Sequence, residues 1–141
     1  MGRAESKNSG TSKPRIIRYE LPGGWMLLAG ATDADNDHLS TTVAASKDWW
    51  FHADGVPGSH VVLRAKPDED PSRKTLRQAA AVAAYHSKAR GAAIVRVYCT
   101  RGRYVKKRRG MKTGTVEVSH GTVLKVRPDN SFANRIRNEQ P

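Results

Sequence analysis

An α+β fold, a mostly antiparallel sheet with one long helix and one short helix packed on it, follows from three features of the sequence. Short apolar runs alternate with Pro, Gly and Asp turn signals along most of the chain, the pattern of successive strands. Only the stretch "SRKTLRQAAAVAAYHSKARG" is long, alanine-rich and bounded by helix start and stop signals. The chain has 141 residues, which suits one domain with a real core.

The elements follow in order. Residues 1–14 are polar without apolar periodicity and read as a disordered tail. Gly2 and Ser6 fit a loose acylation pattern there, the alternative being a plain solvated tail. "RIIRYEL", "PGG" and "WMLLAGA" read as strand, turn and strand. "TDADNDHLSTTVAA" opens with helix-capping residues and predicts a short helix from about Asp35 to Ala44. "DWWFHADGVPGSHVVLRA" reads as a hairpin and "KPDEDP" as a loop. The long helix has Asp70 and Pro71 at its start and Gly91 at its stop. Its Leu76, Ala79, Ala80, Ala83 and Ala84 form a stripe small enough to sit close on a sheet. "AAIVRVYCT" is a strand, "RGRYVKKRRGMKTG" a basic segment beginning as one, and "TVEVSHGTVLKVRP" two short strands around His120 and Gly121. From Asp129 onward the chain reads as a polar basic tail, so the expected domain runs from 15 to 128.

Side chains alternate faces along a strand, and this fixes the hairpin's register. With Ala53 opposite Ser59, Phe51 faces Val61 and Trp49 faces Leu63, giving an apolar face. His52 then faces His60, Trp50 faces Val62 and Asp48 faces Arg64 on the other face. That second face carries the groups that stack on bases and contact phosphates in sheet-surface RNA binders. It is equally compatible with Trp50 buried under the long helix, Asp48 and Arg64 as a structural pair, and two core histidines. Gly55 and Gly58 serve the turn or turn backbone N–H groups toward an anion.

Charge is divided unevenly. Residues 1–70 hold 8 basic and 10 acidic side chains, whereas residues 71–141 hold 17 and 3. The second half attracts polyanions. Arg101, Arg103, Lys106, Lys107, Arg108, Arg109 and Lys112 lie close together around Tyr104, with Gly102 and Gly110 allowing close backbone approach. Arg73, Lys74, Arg77, Lys88, Arg90, Lys125, Arg127, Arg135 and Arg137 add to this charge. Six phosphate contacts imply a slope of log affinity against log salt of about −5 on duplex DNA or about −4 on single strands. Cys99 stands alone, so no internal disulfide forms, and a cytoplasmic location is expected. No apolar run has membrane-spanning length. The histidines and the cysteine show no metal-ligand spacing, and neither metal nor cofactor is expected.

"NDHLSTTVAASKDWWFHADGVPGSHVVLR", "AAAVAAYHSKAR" and "VKKRRGMKTGTVEV", in that order, resemble the NFACT-R domain, also called DUF814. This is the RNA-binding domain of the NFACT proteins of ribosome-associated quality control. The resemblance runs from about Arg15 to Pro128. It matches Asn36 and Asp37 to the family's Asn-Asp pair, and Asp48, Trp50, Phe51 and His52 to its aromatic strand. Pro57, Gly58, Ser59 and His60 match its turn, Arg64 the hairpin's closing basic residue, and Val105, Lys106, Lys107 and Gly114 its basic stretch. Where relatives carry Gly-Arg/Lys-Asn this chain has Gly30, Ala31 and Thr32, so a basic and an amide group are missing. The other NFACT domains do not fit in this length, which reads as a stand-alone domain.

The resemblance implies an RNA-binding module, for tRNA or ribosomal RNA in translation or ribosome quality control, with the ribosome as a further partner and no membrane. The expected RNA contacts are Trp50, His52, His60, Arg64, Arg101, Arg103, Lys106, Lys107, Arg108 and Arg109, with Asn36, Asp37, Asp48, Gly58 and Ser59 as motif residues. Two other classes compete. One is an RNA-processing or modifying enzyme with His52 and His60 as acid and base near Asp48. The other is a duplex-DNA binder, which charge alone does not distinguish.

Overall fold

The computed structural model describes residues 13–137. The expected tail over residues 1–12, with its acylation pattern, and residues 138–141 lie outside the described residues.

Strands β1 (Ile16–Leu21) and β2 (Trp25–Gly30) form a hairpin whose turn needs Gly23 and Gly24, with φ of +93° and +80°. Helix α1 (Asp33–His38) runs straight into a π-helical turn (Leu39–Val43). Strands β3 (Trp49–Ala53) and β4 (Val61–Leu63) follow, then helix α2 (Arg73–Tyr85) and strand β5 (Val95–Arg101). Two short strands, β6 (Val105–Lys106) and β7 (Glu117–Val118), make a separate ribbon. Strands β8 (Thr122–Val126) and β9 (Asn134–Ile136) complete the main sheet, whose order is β8-β5-β3-β4-β2-β1-β9 with every neighbour antiparallel. Residues 134–136, read from sequence as part of a tail, pair along β1. No helix among the described residues is long and apolar enough to cross a membrane.

The expectation of one long helix is overturned. Helix α2 has 13 residues and ends at Tyr85. The chain beyond it is captured by the β3–β4 loop instead of continuing the helix. Ser59 N donates to His86 O at 3.0 Å, Lys88 N donates to Pro57 O at 2.9 Å, and Gly58 bridges Ser87. A Cβ on Gly58 would lie 2.8 Å from that of Ser87, so only glycine permits the approach. The helix starts two residues late too, because Ser72 Oγ accepts the Thr75 amide in place of an Asp70 cap. Helix α1 begins at Asp33, ahead of the expected start near Asp35, because Thr32 Oγ1 accepts the Asp35 amide and caps it.

The hairpin register matches the alternation argument where the strands pair: Trp49 with Leu63, Trp50 with Val62, Phe51 with Val61. The ladder stops short of the expected Ala53–Ser59 and His52–His60 pairs. There His60 N donates to Asn36 Oδ1 at 3.0 Å and His60 O accepts from Gly30 N at 3.1 Å.

Both sheet faces are covered. Helix α2 lays Ala79, Ala80, Ala83 and Ala84 on a face built from Leu27, Phe51, Val61, Leu63 and Val97. The opposite face, centred on Leu28, Trp50 and Val62, lies under the π-helical turn's Leu39 and Val43 and the ribbon's Val105, Val116 and Val118.

Candidate nucleic-acid interface

The ribbon face holds most of the singled-out residues. Trp50 and Asp48 lie on it because alternation puts them opposite Trp49 and Phe51. Both are 3% exposed, as is His60. Trp50 Nε1 donates to Ser40 Oγ at 2.8 Å, and Ser40 Oγ lies 2.7 Å from His60 Nδ1. Among the described residues the Ser40 hydroxyl proton has no other acceptor, so it goes to Nδ1 and the His60 ring proton sits on Nε2. Trp50 is thus neither an exposed platform nor buried under α2. It is buried beneath the π-helical turn, with its ring edge bonded to that turn.

Four aromatic rings, Trp50, His52, His60 and Tyr98, lie on adjacent segments of this face. His52 pairs in register with Tyr98 on β5, and its ring centroid lies 5.4 Å from that of His60, nearly perpendicular. Trp50 lies beside His52 at 6.0 Å with an interplanar angle of 17°. Between this row and the ribbon residues Gly114, Thr115, Val116 and Val118 runs a cleft of about 380 Å³. Burial lowers the affinity of both imidazoles for protons. For His60, burial and then the neighbouring His52 push the pKa down to about 4. For His52, burial outweighs nearby backbone carbonyls and Asp54. Both rings are neutral at pH 7, each with one donor and one acceptor nitrogen.

The basic segment is locked over this face by Asp37. Its Oδ1 accepts from Gly114 N at 3.0 Å and pairs with Lys107 Nζ at 3.2 Å. Lys107 Nζ also donates to Thr115 O at 2.7 Å, so it closes the loop from inside. Gly114 has φ of +88°, and a Cβ there would meet Asp33 at 2.8 Å. Arg108 makes an exposed 2.7 Å pair with Glu117 across the ribbon. Lys106, Arg109, Lys112 and Arg103 are exposed. Tyr104 stacks on His120 at 4.2 Å beside them.

Of the ten expected contact residues only Trp50, His52 and His60 line the cleft; five lie on the segment 103–109 beside it, and Arg101 and Arg64 are turned to other duties. Arg101 alternates to the other face of β5 and lies 4.1 Å over the Trp49 ring. Arg64 pairs with Asp48 at 3.2 Å and donates to Val43 O at 2.7 Å, beyond the π-helical turn from the histidines. Asp48 also accepts the Ala45 and Ala65 amides, and Ser59 Oγ donates to Gly30 O. Asn36 fills the space that a Cβ on Gly30 would need, 2.1 Å from its Oδ1. These motif residues brace the face. Ser40 and Tyr98 escaped the sequence reading. Tyr98 was recoverable by alternation along "VRVYCT" once β5 is paired with β3, whereas nothing local marked Ser40.

Residues 16–120 match the family described as NFACT protein RNA binding domain. The chain is 40% identical over 116 residues to the Rqc2 homolog RqcH of Bacillus subtilis (strain 168), covering 82% of this chain and 20% of that protein. It is 37% identical over 106 residues to the Rqc2 homolog RqcH of Streptococcus suis (strain 05ZYH33), covering 75% of this chain and 19% of that one. It thus spans about a fifth of the length of these curated relatives. A solved structure, the C-terminal part of the fibronectin/fibrinogen-binding protein of Streptococcus suis, superposes with a TM-score of 0.79 at 32% identity, covering 94% of this chain and 52% of that one.

Proposed function

The chain belongs to the NFACT protein RNA-binding domain family, and from that premise we propose that it binds structured RNA, tRNA or ribosomal RNA, in ribosome quality control in the cytoplasm. One observation carries the reading. A ribbon with exposed cations is fastened by Asp37 beside an aromatic cleft, so phosphate-seeking and base-seeking groups lie on neighbouring parts of the molecule. In this reading Lys106, Arg108, Arg109 and Arg103 take phosphates. His52 and His60 contact a base edge or backbone, and Trp50 walls the site from behind. Lys107 acts by holding the loop rather than by gripping RNA. Arg64 and Arg101 have duties elsewhere on the fold and are left out of the contact set. Similarity to proteins named Rqc2 homolog RqcH supports the quality-control setting.

The test is competition at fixed salt between tRNA and duplex DNA of equal phosphate content. The reading expects tRNA to win at every salt concentration. Equal displacement by DNA would reduce it to nonspecific polyanion binding. Incubating total RNA with the protein, with and without EDTA, separates binder from enzyme: intact RNA is expected, and altered products would make His52 and His60 candidates for acid–base chemistry.

A further inference from the structure

The cleft between the aromatic row and the ribbon has dimensions and chemistry that phosphate binding alone does not require. We propose that it is a subsite for one unpaired nucleobase, inserted between the His52–Tyr98 row and Val116 and Val118 and read at its edge by the His52 imidazole. This deepens the RNA-binding reading of the same face and rests on it.

Four observations support the assignment. The cleft, at about 380 Å³, falls within the range of small-ligand sites and is open on one side. Its walls combine apolar and aromatic side chains, as a flat base needs, with a substantial polar share. The polar groups it has are suited to reading a base edge. Ser40 holds the buried His60 ring in place as part of the wall, and the neutral, half-buried His52 ring beside it carries one donor and one acceptor nitrogen, whereas an imidazolium would only donate. Finally, basic residues adjoin the segments that line the cleft. The loop that supplies its Gly114–Thr115 wall carries Lys112, and Asp54 at its rim pairs with Arg96 at 3.6 Å. A base entering here would bring its own phosphates toward these side chains, a match that an uncharged apolar ligand does not make.

The chemistry is shared by a base in RNA and by a free nucleotide, so the test carries both. An RNA stem-loop with unpaired loop bases is compared with the same stem-loop carrying abasic sugars in the loop, at equal phosphate number and salt. Nucleoside 5′-monophosphates form the second arm, followed through the imidazole NMR signals of His52 and His60. The proposal expects the abasic loop to bind about ten-fold more weakly, the loss typical of one stacked base. It expects His52→Ala to erase that preference. His52→Phe, which keeps a ring in the wall, should retain preference for a loop base over an abasic one but lose discrimination among bases. Equal binding of both loops by the unaltered protein overturns the subsite while leaving RNA binding intact. If neither RNA binds, the RNA reading fails. A nucleoside monophosphate that still shifts both histidine signals then assigns the cleft to free nucleotides, and no shift overturns the subsite too.

Discussion

The two faces of the sheet are held by different forces. Under α2 the contact is made of small alanines on Leu, Val and Phe, and its strength is area removed from water. On the ribbon face the cover is thin, and its position depends on a few polar anchors: Asn36 on His60, Ser40 between Trp50 and His60, Asp37 on Gly114 and Lys107. Area holds a fold without specifying fine geometry, whereas hydrogen bonds fix positions. The face proposed to meet RNA is the one built from such bonds.

Four substitutions or conditions probe that contrast. The largest effect belongs to the area-held face. Phe51→Ala empties a fully buried position and should cost about 3–5 kcal/mol in urea unfolding. A loss below 1 kcal/mol would mean that this face is less tightly packed than described.

Acid comes next, and it acts through the ribbon face. The folded pKa of His60 is about 4 against an ordinary value of 6.5. Between those values the unfolded chain takes up a proton that the folded chain refuses, so stability rises with pH over that window and levels off above it. The full span is worth about 3 kcal/mol, and His52 adds in the same direction. Urea midpoints measured from pH 4 to pH 7 should follow this curve and flatten in His60→Gln.

Ser40→Ala should cost about 1–3 kcal/mol, because it strands the Trp50 N–H and the His60 Nδ1 in a buried setting. Its signature is a rise in the His60 chemical-shift heterogeneity or a change of tautomer, visible by NMR. If the tautomer is unchanged, the hydroxyl does not set it.

Much of this was readable beforehand, and the boundary is physical. Strict alternation in "DWWFHA" and "HVVLR" fixed which residues pair, because a slip by one would place apolar side chains against polar ones. The length of α2 was misjudged because helix signals are local, while the Gly58–Ser87 bridge that stops the helix joins segments far apart in sequence. The fate of Trp50 was open for the same reason. Burial by a π-helical turn and a bond to Ser40 are contacts that no periodicity announces. Lys107 and Asp37 lie 70 residues apart, so a lysine in a basic run gave no sign that it was a structural clasp.

The smallest effect on stability is also the sharpest test of the central claim, that RNA is gripped on the ribbon face. Lys106, Arg109 and Lys112 are exposed, and changing all three to alanine should shift stability by less than about 0.5 kcal/mol each. The matched control is Arg73, Lys74 and Arg77 changed to alanine on the α2 side, where they line a separate shallow cleft with Phe132. The measurement is the slope of log affinity for tRNA against log salt for both triple variants. The ribbon variant is expected to flatten the slope by about 2 and the α2-side variant to leave it unchanged. A slope flattened by the α2-side variant and untouched by the ribbon variant would contradict the account.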